Sequence, residues 1–447
     1  MTSRATKDSG VPWIGEIPAG WEVVRLGRVS TSYCDGPFGS GLKSEHYVDS
    51  GVRVIRLQNI GNGRFESRDA AFISRDHFAS LSRHAVRAGD LVLAGLGDET
   101  HPVGRACIIP DGIEPAMVKA DCFRFRLDGR RTLPAFVRWY LTSDVAAFES
   151  AAESRGATRI RINLGDAARI RLPLPPLDEQ RRIADFLDER TAAIDAALAE
   201  QERTARLLAE RRRTLVSHAV TRGLDPSAPL RDSGVAWIGA IPAHWQATRI
   251  VRVARLESGH TPSRGAAEYW VPSECTIPWF SLADVWQLRD GRQEYLGETS
   301  EKISPKGIAN SSARLLPAGT VVLSRTASVG FSGIMPVPMA TTQDFANWVC
   351  GPLLLPEYLL HVLRSMSGEF SRMTQGSTHQ TIYMPDLKKL TIPLPPLDEQ
   401  RRIVDHLRAR TAEIDAASEA AERAAKLLRE YRQSLITAAV TGRVAPE

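Results

Sequence analysis

The residues that could do chemistry do not assemble into a catalytic set. Gly36–Ser44 reads GPFGSGLKS and looks like a phosphate-binding loop. Such a loop needs glycine directly before its lysine, whereas Lys43 follows Leu42. Pro385-Asp386 with Lys388-Lys389 hints at a nuclease core, but no upstream acid on a strand supports it. HExxH, GxSxG and the kinase motifs are absent. So is the polar-Pro-Pro-aromatic signature of amino-group methyltransferases. The ten histidines and five cysteines make no cluster with metal-ligand or redox spacing.

What remains is polar residues suited to reading base edges and phosphates. In the first part of the chain these are Lys43, Arg56, Gln58, Asn59, Arg64, Arg155, Arg159 and Arg161. In the second they are Arg264, Arg325, Arg372, Gln375, His379 and Gln380. Each competes with the plainer reading of a solvated surface residue. Trp13, Trp21, Trp237 and Trp245 read as packing rather than base stacking. The net charge of +5, from 57 Lys and Arg against 52 Asp and Glu, fits nucleic acid only weakly.

The elements that must position these residues come twice. Leu172–Leu187 reads LPLPPLDEQRRIADFL and Ile392–Leu407 reads IPLPPLDEQRRIVDHL, 220 positions apart with three differences. SGVPWIGEIPAGW at Ser9 is echoed by SGVAWIGAIPAHW at Ser233. Between these anchors, residues 25–155 align poorly with 249–375. Only AGDLVLA at Ala88 with AGTVVLS at Ala318, Val103-Gly104 with Val329-Gly330, and RGAT with QGST persist. The frame is duplicated and the filling is not.

Asp178–Val220 and Asp398–Val440 contain neither glycine nor proline. Leu187, Ile194, Gln201, Leu208 and Leu215 fall seven apart, as do Leu407, Ile414, Ala421, Leu428 and Leu435. A heptad seam predicts two coiled-coil helices, each about 60 Å long at 1.5 Å per residue. They are expected to pack antiparallel on each other, with docking of each on its own domain as the alternative. Asp178 and Asp398 are expected as N-caps, with Gly223 and Gly442 as stops. Short strands are expected at Val52, Gly89, Arg105, Cys122, Thr276, Gly319 and Phe331. Single helices are expected over 133–149 and 355–370. The fold class is α+β: two globular domains joined by two long antiparallel coiled-coil helices, a pseudo-twofold internal repeat. The boundaries read as 1–171, 178–222, 223–391 and 398–441. Scattered cysteines and the absence of a long apolar run predict a cytoplasmic protein with no membrane span.

The doubled PLPPLDEQRRI segment, the helix after each copy, the GPFGSGLKS and VIRLQNI opening, and the module order together resemble the DNA specificity subunit of type I restriction-modification enzymes. The resemblance covers essentially the whole chain. It implies a non-catalytic subunit whose two target-recognition domains each read half of a bipartite double-stranded DNA site, with the helices as a ruler for the gap. It implies partners: two modification subunits that methylate adenine with S-adenosylmethionine, and restriction subunits that use ATP and Mg2+. No cofactor would be bound by this chain itself. The corners Pro175, Pro176, Leu177, Glu179 and Gln180, and Pro395, Pro396, Leu397, Glu399 and Gln400, would dock the modification subunits. Copy one departs from the pattern, with RGATRIRI where copy two has QGSTHQTI. The alternatives are a non-DNA scaffold presenting two binding modules on a coiled coil, and a free-standing nuclease.

Overall fold

The computed structural model describes residues 5–98, 100–152, 160–374 and 381–444. The chain divides into two compact units. Unit 1 is Met1–Gln201 with Arg423–Glu447, and unit 2 is Glu202–Glu422. The division cuts across both long helices, so each unit owns one globular part and a segment of each helix.

In unit 1 a four-stranded antiparallel sheet runs in the order Ala106–Ile108, Leu91–Ala94, Cys122–Leu127, Ser30–Cys34. Unit 2 repeats it as Ser332–Ile334, Val321–Ser324, Phe345–Cys350, Ala254–Ser258. Each unit adds a second, mixed sheet, of five strands in unit 1 and three in unit 2, with one parallel pair: Val52–Ile55 with Ala116–Val118 and Ile277–Phe280 with Ala340–Thr341. The central strands Leu91–Ala94 and Val321–Ser324 are buried on both faces, which explains their unbroken apolar runs. The expectation of antiparallel-rich α+β domains holds.

The two expected single helices each break in two, as Pro134–Leu141 with Asp144–Ala152 and Pro356–Ser365 with Ser367–Thr374. The cause is local. Thr142 and Ser143 turn their hydroxyls onto the carbonyls of Trp139 and Tyr140, and Ser365 does the same to Val362. A hydroxyl that competes for helix carbonyls offers the backbone a way out.

The LPLPP segments form a strand that pairs with the start of the same module. Arg171–Leu174 lies antiparallel to Glu22–Arg25, and Thr391–Leu394 lies antiparallel to Gln246–Arg249. The long helices then run Leu177–Arg222 and Leu397–Val440, 46 and 44 residues. Each starts one residue before its expected aspartate. Asp178 and Asp398 are therefore not caps. They sit in the first turn, where a carboxylate complements the helix dipole. Gly223 (φ 73°) and Gly442 (φ 74°) end the helices in the left-handed conformation.

Within each unit the helix segments pack antiparallel. In unit 1, Ile183 and Leu187 share a core with Ile436, Ala439 and Val440. In unit 2, Val216, Ala219 and Val220 share one with Ile403 and Leu407. Asp195–Arg432 (2.7 Å) and Arg212–Asp415 (2.9 Å) fix the same antiparallel register in the two units. Leu187, Ile194, Leu407, Ile414 and Ala421 are buried, while Gln201, Leu208, Leu215, Leu428 and Leu435 are half-buried. No described helix is long and apolar enough to cross a membrane.

Candidate nucleic-acid interface

Each four-stranded sheet ends in a cluster of loops, and the two clusters are built alike. Gly36 and Gly259 follow the edge strand of the sheet. A Cβ on Gly36 would sit 2.0 Å from the Lys119 carbonyl carbon, and one on Gly259 would sit 2.1 Å from the Thr342 carbonyl oxygen. Only glycine lets these backbones cross. The chain returning toward the long helix then joins the turn after the central strand. In unit 1, Leu96 bridges Arg161, Gly97 N donates to Ile160 O (2.9 Å), and Ile162 N donates to Gly95 O. In unit 2, Thr326 bridges Thr381 and Ile382 N donates to Arg325 O (2.8 Å).

The side chains on this shared frame differ. In unit 1, Arg161 donates to Asp121 (2.7 Å) and lies over the ring of Phe38, which is half exposed on the GPFGSGLKS loop. Lys43 is exposed beside Glu45. In unit 2, Arg325 donates to the carbonyls of Gln343 and Ile382, and Thr261 donates to the Gln343 side chain (2.8 Å). Arg264 stacks on Trp270 at 3.9 Å and grips Glu301 with both arms of its guanidinium.

Arg56 and Gln58 converge on one carboxylate, Asp69, at 3.0 and 2.6 Å. Hydrogen bonds from Gln58 and Arg56 hold that carboxyl below its ordinary range. Their turn is anchored by Arg105, which the sequence reading missed. Arg105 is buried and donates to the carbonyls of Ile60, Leu57, Leu96 and Pro102. It ties the Arg56–Ile60 turn to the loop cluster. The signal was the Val103-Gly104 anchor beside it, which Phe331 follows in the other copy.

Several of the expected site residues turn inward instead. Asn59 is fully buried, donates to Glu66 O and Arg68 O, and accepts from Arg56 N, so it shapes the turn and cannot reach a base. Gln180 and Gln400 are fully buried and spend their amides internally. Glu179 and Glu399 accept from the indoles of Trp21 and Trp245 at 3.0 Å each. Pro175 and Pro395 are buried as well. The corner's polar residues therefore close each domain onto its helix. Its exposed residues are Pro176, Asp178, Arg181 and Arg182, and Pro396, Asp398, Arg401 and Arg402, with Leu177 and Leu397 partly covered. Trp21 and Trp245 are core residues, while Trp13 and Trp237 are half-buried.

Other candidates are scattered. Arg64 is exposed and pairs with Glu66. Arg372 pairs with Glu369 on its own helix and lines a separate depression with Val235, Trp237 and Asp386. Arg155, Arg159, Gln375, His379 and Gln380 lie outside the described residues. Among the described residues no group of three or more His, Cys, Asp or Glu could hold a metal ion.

Comparison with known proteins decides the family. Residues 18–203 and 242–422 match the type I restriction modification DNA specificity domain. The chain belongs to this family. It is 20% identical to a putative type I restriction enzyme MjaX specificity subunit of Methanocaldococcus jannaschii, over 96% of this chain and 95% of that one. It is 21% identical to the EcoKI specificity subunit of Escherichia coli K12, over 97% and 91%. A shorter match, 30% identical, joins 37% of this chain to 38% of the MjaIX specificity subunit. Among solved structures, a chain from a study of type I R-M complex assembly and conformational transition matches with TM-score 0.73, 21% identity, and coverage of 96% and 99%. The HsdS subunit from Thermoanaerobacter tengcongensis matches with TM-score 0.53, 20% identity, and coverage of 96% and 98%. The specificity subunit described here is thus a non-catalytic DNA-recognition protein with paired target-recognition domains. Its family works in assemblies with modification and restriction subunits on DNA.

Proposed function

We propose that the loop cluster of each unit reads one half of a bipartite target. Residues 1–171 and 223–391 are the two recognition domains, and the helices 178–222 and 398–441 set the gap. The observation that carries this reading is the repeated frame with unlike side chains: Lys43, Phe38 and Arg161 on one, Thr261, Gln343 and Arg325 on the other. Arg56, Gln58, Arg64, Arg264 and Arg372 are candidate contacts around them, as are Arg155, Arg159, Gln375, His379 and Gln380. The ion pairs of Arg56, Arg161 and Arg264 hold their donor forks in place until a guanine edge or phosphate competes for them.

Two modification subunits would dock on the helices and the exposed side of the corners. Leu207 and Leu427 occupy equivalent positions 220 residues apart and are 54% and 63% exposed, so both units offer the same apolar point on their helices. Methyl transfer from S-adenosylmethionine and ATP- and Mg2+-dependent cleavage belong to the partner subunits, which would also flip the target adenine.

Domain exchange tests the reading. Replacing residues 25–155 with the counterpart from another specificity subunit should change one half of the methylated motif and leave the other half and the gap intact. A change in both halves, or in neither, contradicts it.

A further inference from the structure

Unit 2 contains a cleft of about 710 Å³ between the end of the first long helix and the sheet domain, and its charge is lopsided. Arg212 and Arg364 form its floor, both donating to the Gly291 carbonyl, at 2.8 and 2.7 Å. Arg364 also donates to the carbonyls of Gln293 and Ser332. Burial, together with the charge of Arg212, pushes Arg364 down to about 10. The Ser332 hydroxyl lies buried in the same wall with no hydrogen-bond partner. Around this floor stand Arg213, Arg222 and Arg289, all exposed, with no side-chain partner among the described residues. The one carboxylate lining the cleft is Asp290, which accepts from the Arg292 backbone.

Two plainer explanations fall short. A cation near a helix C-terminus is stabilised by the dipole, but only within the last turn. That accounts for Arg222, not for Arg213 further back or Arg289 on another element. Docking of a partner that binds in two equivalent copies needs the same surface in both units. Unit 1 lacks it. Gln433, Ala438 and Gly442 stand where Arg213, His218 and Arg222 do, Asp144 and Glu430 line the matching depression beside Arg429, and Arg443 is engaged with the Ile14 carbonyl.

The cleft also adjoins the reading face. Gly330 and Phe331 line it, and they end the turn that begins at Arg325 and Thr326 in the loop cluster. We infer that this cleft carries the sugar–phosphate backbone of the duplex beyond the half-site read by unit 2, with Arg213, Arg222 and Arg289 as its phosphate contacts. This inference rests on the DNA-reading function proposed above.

The test uses the full subunit in complex with its modification subunits and a fluorescent duplex carrying the motif found by methylation mapping. The triple variant Arg213→Gln, Arg222→Gln, Arg289→Gln is compared with wild type and with Arg206→Gln, an exposed arginine on the same helix outside the cleft. Each lost phosphate contact lowers the slope of log K against log salt by about 0.9. The triple variant should therefore lose about 2 to 3 from that slope, Arg206→Gln should lose nothing, and the methylated motif should be unchanged. An unchanged slope in a triple variant that assembles and melts like wild type overturns the inference. A triple variant that melts like wild type but no longer assembles with a modification subunit also overturns it and points to an acidic protein segment. Wild-type complex that binds no duplex defeats the reading function itself, a result distinct from both.

Discussion

The carboxamide of Gln180 accepts from Leu133 N at 2.8 Å and donates to the carbonyls of Arg131 and Pro175. Gln400 repeats this with Leu355, Leu353 and Pro395. Each glutamine sits in the first turns of a long helix and holds the chain that enters the Pro134 or Pro356 helix. Truncation leaves buried backbone groups unpaired, at roughly 1–3 kcal/mol each. Gln180→Ala should cost on the order of 3 kcal/mol in urea unfolding, with Gln400→Ala equivalent. A loss below about 0.5 kcal/mol would show that the tether is not structural. A second residue-scale expectation concerns Glu294. The His361 imidazole (3.4 Å) and the Arg408 guanidinium (3.0 Å) hold its carboxyl down at about 2, against 4.5 ordinarily. The imidazole is itself kept below its usual range by burial. Because the folded value lies below the unfolded one, Glu294 stabilises unit 2 above about pH 4.5 and loses that contribution as pH falls toward 2. Glu294→Gln should flatten the pH dependence of Tm in that window. Parallel wild-type and variant profiles would contradict the assignment.

At the scale of elements, the heptads made both long helices legible, since apolar spacing is a one-dimensional signal, whereas their antiparallel sense became visible only in the packing of each unit. The corners were less legible. PLPPLDEQ exposes its glutamates and glutamines on paper, and only the fold reveals Trp21, Trp245, Leu133 and Leu355 waiting for them. Asn59 and Arg105 show the same limit: a polar residue on a loop and a polar residue that builds the loop look alike in sequence. The helix register rests in part on Asp195–Arg432, a pair half-exposed on one side. Asp195→Arg should cost about 0.3–1 kcal/mol, and Asp195→Arg with Arg432→Asp should restore most of it in a double-mutant cycle. Matched deletion of one heptad from each helix, Leu198–Thr204 and Arg423–Arg429, keeps that register. It removes about 10 Å of rise and should shorten the gap in the recognised motif by about three base pairs. An unchanged gap would mean the helices are not the ruler.

At the scale of the whole molecule, the duplication explains what is alike and what is not. The Trp–Glu and Gln tethers, the strand pairing of the corners and the helix register recur in both units. The loop clusters keep their backbone joints and exchange their side chains. Sequence repetition exposed the helices and the corner segments, though not the tethers inside those corners. The second stayed hidden because reading surfaces carry no spacing rule, and five of the proposed contacts fall outside the described residues. The central claim, recognition of a bipartite DNA target on behalf of a methyltransferase, is tested most directly by mapping N6-methyladenine across the host genome with and without this gene. The account predicts that one motif, two specified halves around a fixed gap, is methylated in the wild type and unmethylated in the deletion, and returns when the gene is restored. An identical methylation map in both strains, with the modification genes expressed, would contradict it.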